Sequence, residues 1–379
     1  MNTSNVQEIV DYLKHQDYSL AVRRTLDTCL DTGDEEIIKE SVQWSRTYST
    51  RKEEKQLPPH FTERATEILS RAAAMQSTAI AEKKPLLKAG NISKNYKRGN
   101  FSLKPISLSL RTGDVLGVVG ENGNGKTTLL RCLAGQLSID AGEVKYQLLN
   151  NPGYYEIKNH IAFIPQRIPR WYGLLKDNLH FSASIAGVYG AQNDLMVDFM
   201  LERLGLTTYA HLTWNQISSG YRTRFEIARI LLQKPKLLIL DEPLANLDIN
   251  AQQTILTDLI FMAKGLHNPM GIILSSQQLH EVEKVADTVI FIKQGNCVYS
   301  SNDREKTITS NAVEFETTAE RDMVQQLLGR DKAGIQYNGG FYTAVSSAYT
   351  AQEMIAILVQ AGIPLTYFRD ITYSTKRFF

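Results

Sequence analysis

Gly120-Glu121-Asn122-Gly123-Asn124-Gly125-Lys126-Thr127-Thr128 is the stretch on which the reading of this chain turns. It fits G-x-x-x-x-G-K-[ST], the pattern of a phosphate-binding loop. Asp114-Val115-Leu116-Gly117-Val118-Val119 before it reads as a short buried strand. Leu129-Leu130-Arg131-Cys132-Leu133-Ala134 after it reads as the first turns of a helix ending near Gly135. A glycine-rich turn between strand and helix points several backbone N–H groups at one spot, and the positive end of the helix dipole adds to that field. Such a concavity favours a polyphosphate. Lys126 then reaches the terminal phosphates and the Thr127 hydroxyl holds Mg²⁺. A flexible Gly/Asn turn is the alternative. The strand and helix on either side weigh against it, so nucleotide binding is the expectation.

Working outward, composition narrows the class. The 379 residues suffice for two or three domains. Lys+Arg minus Asp+Glu is 42 − 40 = +2, which gives no bulk electrostatic case for nucleic acid or an acidic surface. Cys29, Cys132 and Cys297 are far apart and form no metal spacing; they suggest buried thiols in a reducing compartment. Met1 to Lys14 lacks the basic and apolar regions of a secretory signal, and no apolar run approaches a membrane span. The expectation is a cytoplasmic protein that meets a membrane only through a partner. No internal repeat or low-complexity tract stands out.

Residues 1–85 read as an N-terminal helical region and linker. Val6-Ile9-Val10-Leu13, Leu20-Ala21-Leu26-Leu30 and Ile37-Ile38-Val42-Trp44 have helical spacing, and Phe61 to Met75 is a fourth candidate. Asp34 suits the cap of the third helix and Gly33 the end of the second. These helices either form a small bundle, pack on the next domain or dock on a partner. Residues 86–305 read as one α/β domain. Leu86–Ile92 and Ser102–Leu110 are strands around a turn at Lys97-Arg98-Gly99-Asn100, with Tyr96 beside it. Ile161–Ile164, Leu237–Leu240, Gly271–Ser276 and Val289–Ile292 are apolar strands, and Gln278 to Ala286 is a helix. Residues 170–233 are mostly helical: Leu174–Ile185, Leu195–Leu204 and Arg224–Gln233. Apolar strands alternating with helices indicate a mostly parallel sheet covered on both faces. Residues 306–379 read as an accessory α/β unit, with strands at Ala312–Thr317, Phe341–Ser346 and Leu365–Tyr373 and helices at Ala319–Leu328 and Ala351–Ala361.

A phosphate loop alone does not choose among kinases, GTPases and ATPases. Downstream, the apolar strand 237–240 runs into Asp241-Glu242, placing two carboxylates at the C-terminal edge of the sheet. Asp241 suits Mg²⁺ binding through water, and Glu242 suits taking a proton from an attacking water. Solvated strand-end acids are the alternative. With these residues in place the chain, over roughly 86–300, resembles the ATP-binding cassette (ABC) ATPase family. The resemblance implies a P-loop cassette fold: a mixed, mostly parallel sheet plus a helical subdomain. It implies ATP and Mg²⁺ as ligands. Tyr96 is similar to the family's aromatic that stacks on adenine, its alternative being a core tyrosine. Gln166, after Phe163-Ile164-Pro165, is similar to the Q-loop glutamine that touches Mg²⁺ or water. Ile217-Ser218-Ser219-Gly220-Tyr221 resembles the signature motif, with Ser218 and Gly220 kept and Ser219 and Tyr221 departing from the usual residues. Arg222-Thr223-Arg224 and Ala228-Arg229-Ile230-Leu231 match its helix. Ala245-Asn246-Leu247-Asp248 resembles the D-loop and puts Asp248 at a dimer seam. One departure matters: the family's switch histidine is here Gln277, after Ser275-Ser276. Glutamine exchanges hydrogen bonds but carries no proton charge near neutral pH. His280 is not expected to substitute.

The resemblance further implies a pair of cassettes, since the signature of one subunit closes over the phosphate loop of the other; a homodimer is the expected form. The reading that follows is an ATPase subunit that drives export through a separate membrane-spanning chain, with no nucleic-acid partner. Export rests on the C-terminal unit, whose ending Thr375-Lys376-Arg377-Phe378-Phe379 resembles the tails of export-type cassettes, with Lys376-Arg377 in place of the usual acidic pair. Arg167-Ile168-Pro169-Arg170-Trp171-Tyr172 either meets that partner or fills the subdomain core. A soluble ATPase acting on ribosomes or DNA, and an ATP-binding regulator with weak hydrolysis, stand as alternatives. Intact Lys126, Asp241 and Glu242 favour slow but real hydrolysis over binding alone.

Overall fold

The computed structural model describes residues 2–51, 57–58, 60–75, 83–96, 101–149, 153–245, 247–265, 269–301 and 310–372. The expected turn at Lys97–Asn100, the linker residues Ala81 and Glu82, Asn246, Tyr373 and the tail Thr375–Phe379 lie outside the described residues.

Four amphipathic helices open the chain: α1 (Asn2–Lys14), α2 (Tyr18–Leu30), α3 (Glu35–Arg51) and α4 (Phe61–Met75). Their apolar residues recur on one face and meet each other, because an isolated amphipathic helix has nowhere else to place that face. Asp34 accepts the Ile37 N–H at 2.8 Å and so caps α3. Trp44 stacks on Phe61 with ring centroids 4.6 Å apart and donates its indole N–H to the Phe61 carbonyl.

The chain then enters sheets. β1 (Pro85–Asn95) and β2 (Ser102–Arg111) form an antiparallel sheet with β4 (Ala141–Tyr146), in the order β2-β1-β4. β3 (Val115–Val119) leads through the phosphate loop into α5 (Lys126–Leu133). After β4 come α6 (Tyr154–His160) and β5 (Ile161–Ile164). A helical lobe follows: α7 (Leu175–Ile185), α8 (Gly190–Arg203) and α9 (Ser219–Leu231). The chain returns through β6 (Leu237–Leu240), α10 (Ile249–Lys264), β7 (Gly271–Ser276), α11 (Leu279–Val282), β8 (Thr288–Lys293) and β9 (Asn296–Ser300). These strands build a six-stranded sheet in the order β5-β6-β7-β3-β8-β9, parallel except for the β8–β9 hairpin. Every residue of β3, β6 and β7 is buried, as strands covered on both faces require. Along β3 the alternation is strict. Leu116 and Val118 join α5 and the β1–β2 sheet in one core; Val115 and Val119 join the helical lobe and α1–α4 in the other.

The last unit holds β10 (Asn311–Thr317), α12 (Arg321–Leu328), β11 (Ala333–Asn338), β12 (Phe341–Ser346), α13 (Ala351–Gln360) and β13 (Leu365–Asp370). Its antiparallel sheet has the order β11-β12-β10-β13, a split β-α-β arrangement with its own core around Phe315.

Several expectations need correction. The helix expected over Leu195–Leu204 starts at Gly190, and the one expected from Arg224 starts at Ser219, so Ser219 and Gly220 form its first turn. The helix expected over Gln278–Ala286 is reduced to Leu279–Val282. The elements β4, α6, α10, β9 and β11 have no counterpart in the sequence reading. Of the alternatives left open for the N-terminal helices, packing on the next domain is the one seen: their core is continuous with that of the helical lobe, and α2 and α3 pack on α8.

Candidate nucleotide site

Four adjacent parallel strands end at the same edge of the six-stranded sheet. Val119 pairs with Ser276, Leu240 with Leu274, and Ile164 with Leu240. The residues just beyond these ends are the phosphate loop, Gln277, Asp241-Glu242 and Gln166. Parallel pairing thus gathers four segments distant in sequence at the carboxyl edge, where open α/β sheets place ligands.

The loop is shaped by glycine. Gly125 caps α5 with φ of 102°, a left-handed conformation that penalises any side chain, and a Cβ there would lie 2.5 Å from Phe101 Cζ. A Cβ at Gly120 would lie 2.3 Å from the Ile292 carbonyl oxygen. Asn124 pins the loop to the β8–β9 turn: its side-chain oxygen accepts from the Gln294 N–H at 2.8 Å, and its carbonyl from the Gly295 N–H at 3.1 Å. The first-turn amides of Lys126, Thr127 and Thr128 have no helical carbonyl behind them and remain donors for an anion. Glu121, Asn122 and Gly123 are exposed at the mouth of the loop, Gly123 with φ of 79°.

Charge converges on Glu242. Its Oε1 pairs with Lys126 Nζ at 3.0 Å, and both side chains are under a tenth exposed. Lys126 also donates to the carbonyls of Gly120 at 2.7 Å and Glu121 at 3.1 Å. The other oxygen, Oε2, accepts from Gln166 Nε2 and from Gln277 Nε2, each at 2.9 Å. Glu242 itself has φ of 48°, a left-handed backbone on a non-glycine residue, which marks a site where structure overrides local preference. Ser275, fully buried on β7, holds the pair of acids: its Oγ accepts the Glu242 N–H at 2.9 Å and donates to Asp241 Oδ1 at 2.8 Å. Asp241 Oδ2 accepts from Thr127 Oγ1 at 2.7 Å. A hydroxyl and a carboxylate this close are hard oxygen donors of the kind Mg²⁺ takes.

The remaining sequence-derived candidates lie at varied distances from this centre. Tyr96 follows β1, is 42% exposed, and its hydroxyl is 3.4 Å from Thr128 Oγ1. The ring therefore stands beside the mouth of the loop. Ser218 and Ser219 are exposed at the start of α9, and a Cβ on Gly220 would lie 3.4 Å from Leu247 Cδ2. These three belong to the helical lobe, whereas the phosphate loop belongs to the sheet. Asp248 is exposed and caps α10 by accepting the Ala251 N–H at 2.9 Å. His280 lies on α11, and its side chain is outside what is described. Phe101, Ser275 and the Asn124–Gln294 contact were not singled out as site features from sequence; only strand pairing brings them here. Among the described residues no three His, Cys, Asp or Glu side chains form a metal cluster, and no helix is long and apolar enough to cross a membrane.

The stretch 167–172 divides. Trp171 is buried, stacked on Trp214 at 5.0 Å, with its indole N–H on Glu226. Tyr172 is 80% exposed and shares a cavity of about 360 Å³ with Phe181 and Ile185 of α7, both also exposed.

The profile of the ABC transporter family matches residues 103–245. An uncharacterised ABC transporter ATP-binding protein of Methanocaldococcus jannaschii is 30% identical over 221 residues, 57% of this chain and 77% of the relative. The phosphonates import ATP-binding protein of Treponema denticola is 28% identical, over 56% of this chain and 88% of its own length. The solved structure of CbiO1 from Clostridium perfringens, part of the ABC transporter complex CbiONQ, shares the fold with a TM-score of 0.52, at 24% identity over 65% of this chain and 95% of that one.

Proposed function

This chain belongs to the ABC transporter family, and on that footing we propose that it hydrolyses ATP in a site completed by a second cassette, and that this work drives transport through a separate membrane-spanning subunit. The observation that carries the proposal is the convergence of Lys126, Gln166 and Gln277 on the Glu242 carboxylate beside the Thr127–Asp241 pair.

The roles follow from that geometry. The α5 amides and Lys126 receive the phosphates. For Lys126 to do so it exchanges Glu242 for phosphate oxygens, and this exchange frees the Glu242 carboxylate to take the proton of an attacking water. Thr127 and Asp241 would hold Mg²⁺, whose charge offsets that of the phosphates. Gln166 turns its amide nitrogen to Glu242 and keeps its carbonyl oxygen for the ion or a water. Gln277 orients Glu242 without contributing a titratable proton. Tyr96 offers its exposed ring to the base. Ser218, Ser219 and Gly220 stand at the start of α9, where they serve the nucleotide of the second copy, with Asp248 on the seam.

The exposed Tyr172, Phe181 and Ile185 around their cavity suit an apolar helix from a membrane subunit. The sequence reading expected export. The tail that suggested it lies outside the described residues, and the phosphonates relative is an importer by name. The proposal is therefore coupling to transport, in a cytoplasmic, peripheral position, without a direction.

The test is phosphate release by the purified chain at several protein concentrations, beside Glu242→Gln. Turnover per subunit should rise with concentration as pairs form, and the variant should lose about 10²-fold or more of the rate while still binding ATP. Equal rates for the two proteins would remove Glu242 from the chemistry, and a rate independent of concentration would remove the pairing.

A further inference from the structure

The N-terminal helices are tied to the cassette by buried charge as well as by apolar packing. α2 presents Arg23, Arg24 and Asp27. Asp27 Oδ2 accepts from Arg24 Nη1 at 2.7 Å, and its Oδ1 pairs with Arg203 Nε at the end of α8. On the other side, Arg24 Nη2 and Arg23 Nη1 each lie 3.5 Å from an oxygen of Asp258 on α10, and the Arg24 guanidinium lies over the Phe261 ring. The side chains of Arg24, Arg203 and Asp258 are 3–4% exposed. α3 adds Arg46 on Asp198 and Ser49 on Glu202, both acids on α8. α8 belongs to the helical lobe, which continues into α9 and its opening Ser219-Gly220. α10 belongs to the sheet lobe and begins beside Asp248. One helix of the N-terminal region therefore grips both lobes.

A buried charge network of this kind is a poor source of stability, since apolar side chains of similar volume do as well or better. What it supplies is orientation: charges out of water tolerate little misplacement. Arg24 Nη2 and Asp258 Oδ1 face each other at 3.5 Å, each without a hydrogen-bond partner, roughly half an ångström beyond an ordinary N–H···O bond.

We propose that Arg24, Asp27, Arg203 and Asp258 are positioning residues for hydrolysis: through them α2 fixes the angle of the helical lobe to the sheet lobe, and with it where Ser218–Gly220 meet the nucleotide of a second cassette. This rests on the two-cassette reading above.

The experiment is a double-mutant cycle on the full chain. Arg24→Met combined with Asp258→Leu removes one charge of each sign and cuts the link to α10. Its melting temperature and ADP affinity should stay near those of the wild type, because the Lys126 site is untouched, while kcat falls at least fivefold. Ser218→Ala should lower kcat in the wild-type background and have clearly less effect in the Arg24→Met/Asp258→Leu background, because the serine is already misplaced there. Unchanged kcat, or fully multiplicative effects, overturn the inference. Should the double replacement fail to fold, Asp258→Asn, which keeps the shape, goes through the same cycle with the same outcomes. If Ser218→Ala leaves the wild-type rate intact, the two-cassette reading falls and this inference with it. If it lowers that rate without coupling to the α2 network, only the inference falls.

Discussion

Gln277 and Gln166 donate to the same oxygen of Glu242. Either amide can hold a carboxylate in place, but neither changes charge as pH moves, whereas an imidazole at position 277 would. This gives a prediction at the level of one atom. The wild-type rate should be flat between pH 6 and 8 as far as this position is concerned. Gln277→His should introduce a limb, with activity falling as pH drops through about 6.5, where the ring gains a proton and competes for the Glu242 oxygen. Phosphate release measured across that range decides it; a limb of equal depth in both proteins would mean that the titrating group lies elsewhere. Part of this was legible: Lys126, Asp241 and Glu242 stand in patterns that put them at one edge of the sheet, and the structure brings them together there. Ser275 was quoted only as part of a strand, because its bonds to Asp241 and to the Glu242 amide exist only once β6 and β7 lie side by side. The Lys126–Glu242 pair was unreadable for the same reason.

At the scale of elements, the start of α5 is the most constrained turn in the chain. Gly125 stands at φ of 102° with Phe101 pressed against the space a side chain would need. Gly125→Ala should therefore weaken ATP binding at least tenfold, by turning the Lys126–Thr128 amides away from the phosphate position. Adding Phe101→Ala relieves the clash but not the left-handed backbone, so it should recover only part of the loss. Titration with a fluorescent nucleotide tests both; full recovery would show that crowding alone matters. Elements with a strong pattern were legible: α4 runs from Phe61 to Met75 as its spacing implies, and the apolar runs became β5, β6 and β7. Others were not. β9 is mostly exposed along Asn296–Val298 and owes its existence to pairing with β8. β11 likewise exists through its pairing with β12. α9 begins at Ser219, ahead of any hydrophobic signal, because a helix can start on small polar residues that leave its first-turn amides free.

Across the whole molecule, the cores decide which parts unfold together. The buried side chains of α1–α4 join the helical lobe and one face of the six-stranded sheet in a single cluster, whereas the C-terminal sheet keeps its own cluster around Phe315. Burial of charge adds nothing to that junction: desolvation pushes the Asp258 carboxyl up and the Arg24 guanidinium down to about 10, so the apolar core is what holds bundle and cassette together. Truncating a large buried aromatic to alanine costs about 3–5 kcal/mol. Where that loss is felt depends on core continuity. ADP raises the melting temperature of whatever unit contains the phosphate loop, which labels the cassette transition in a calorimetric scan. Trp44→Ala, far from the loop but in the shared core, should lower that ADP-sensitive transition by several degrees. Phe315→Ala should leave it in place and instead lower or remove a transition that ADP does not shift. The sequence alone separated residues 1–85 from the α/β domain on texture, because linker composition is local while a shared core is not. A Trp44→Ala protein whose ADP-sensitive transition stays put would restore that separation and make the N-terminal bundle an independent unit; a shift there, with none from Phe315→Ala, makes bundle and cassette one cooperative body.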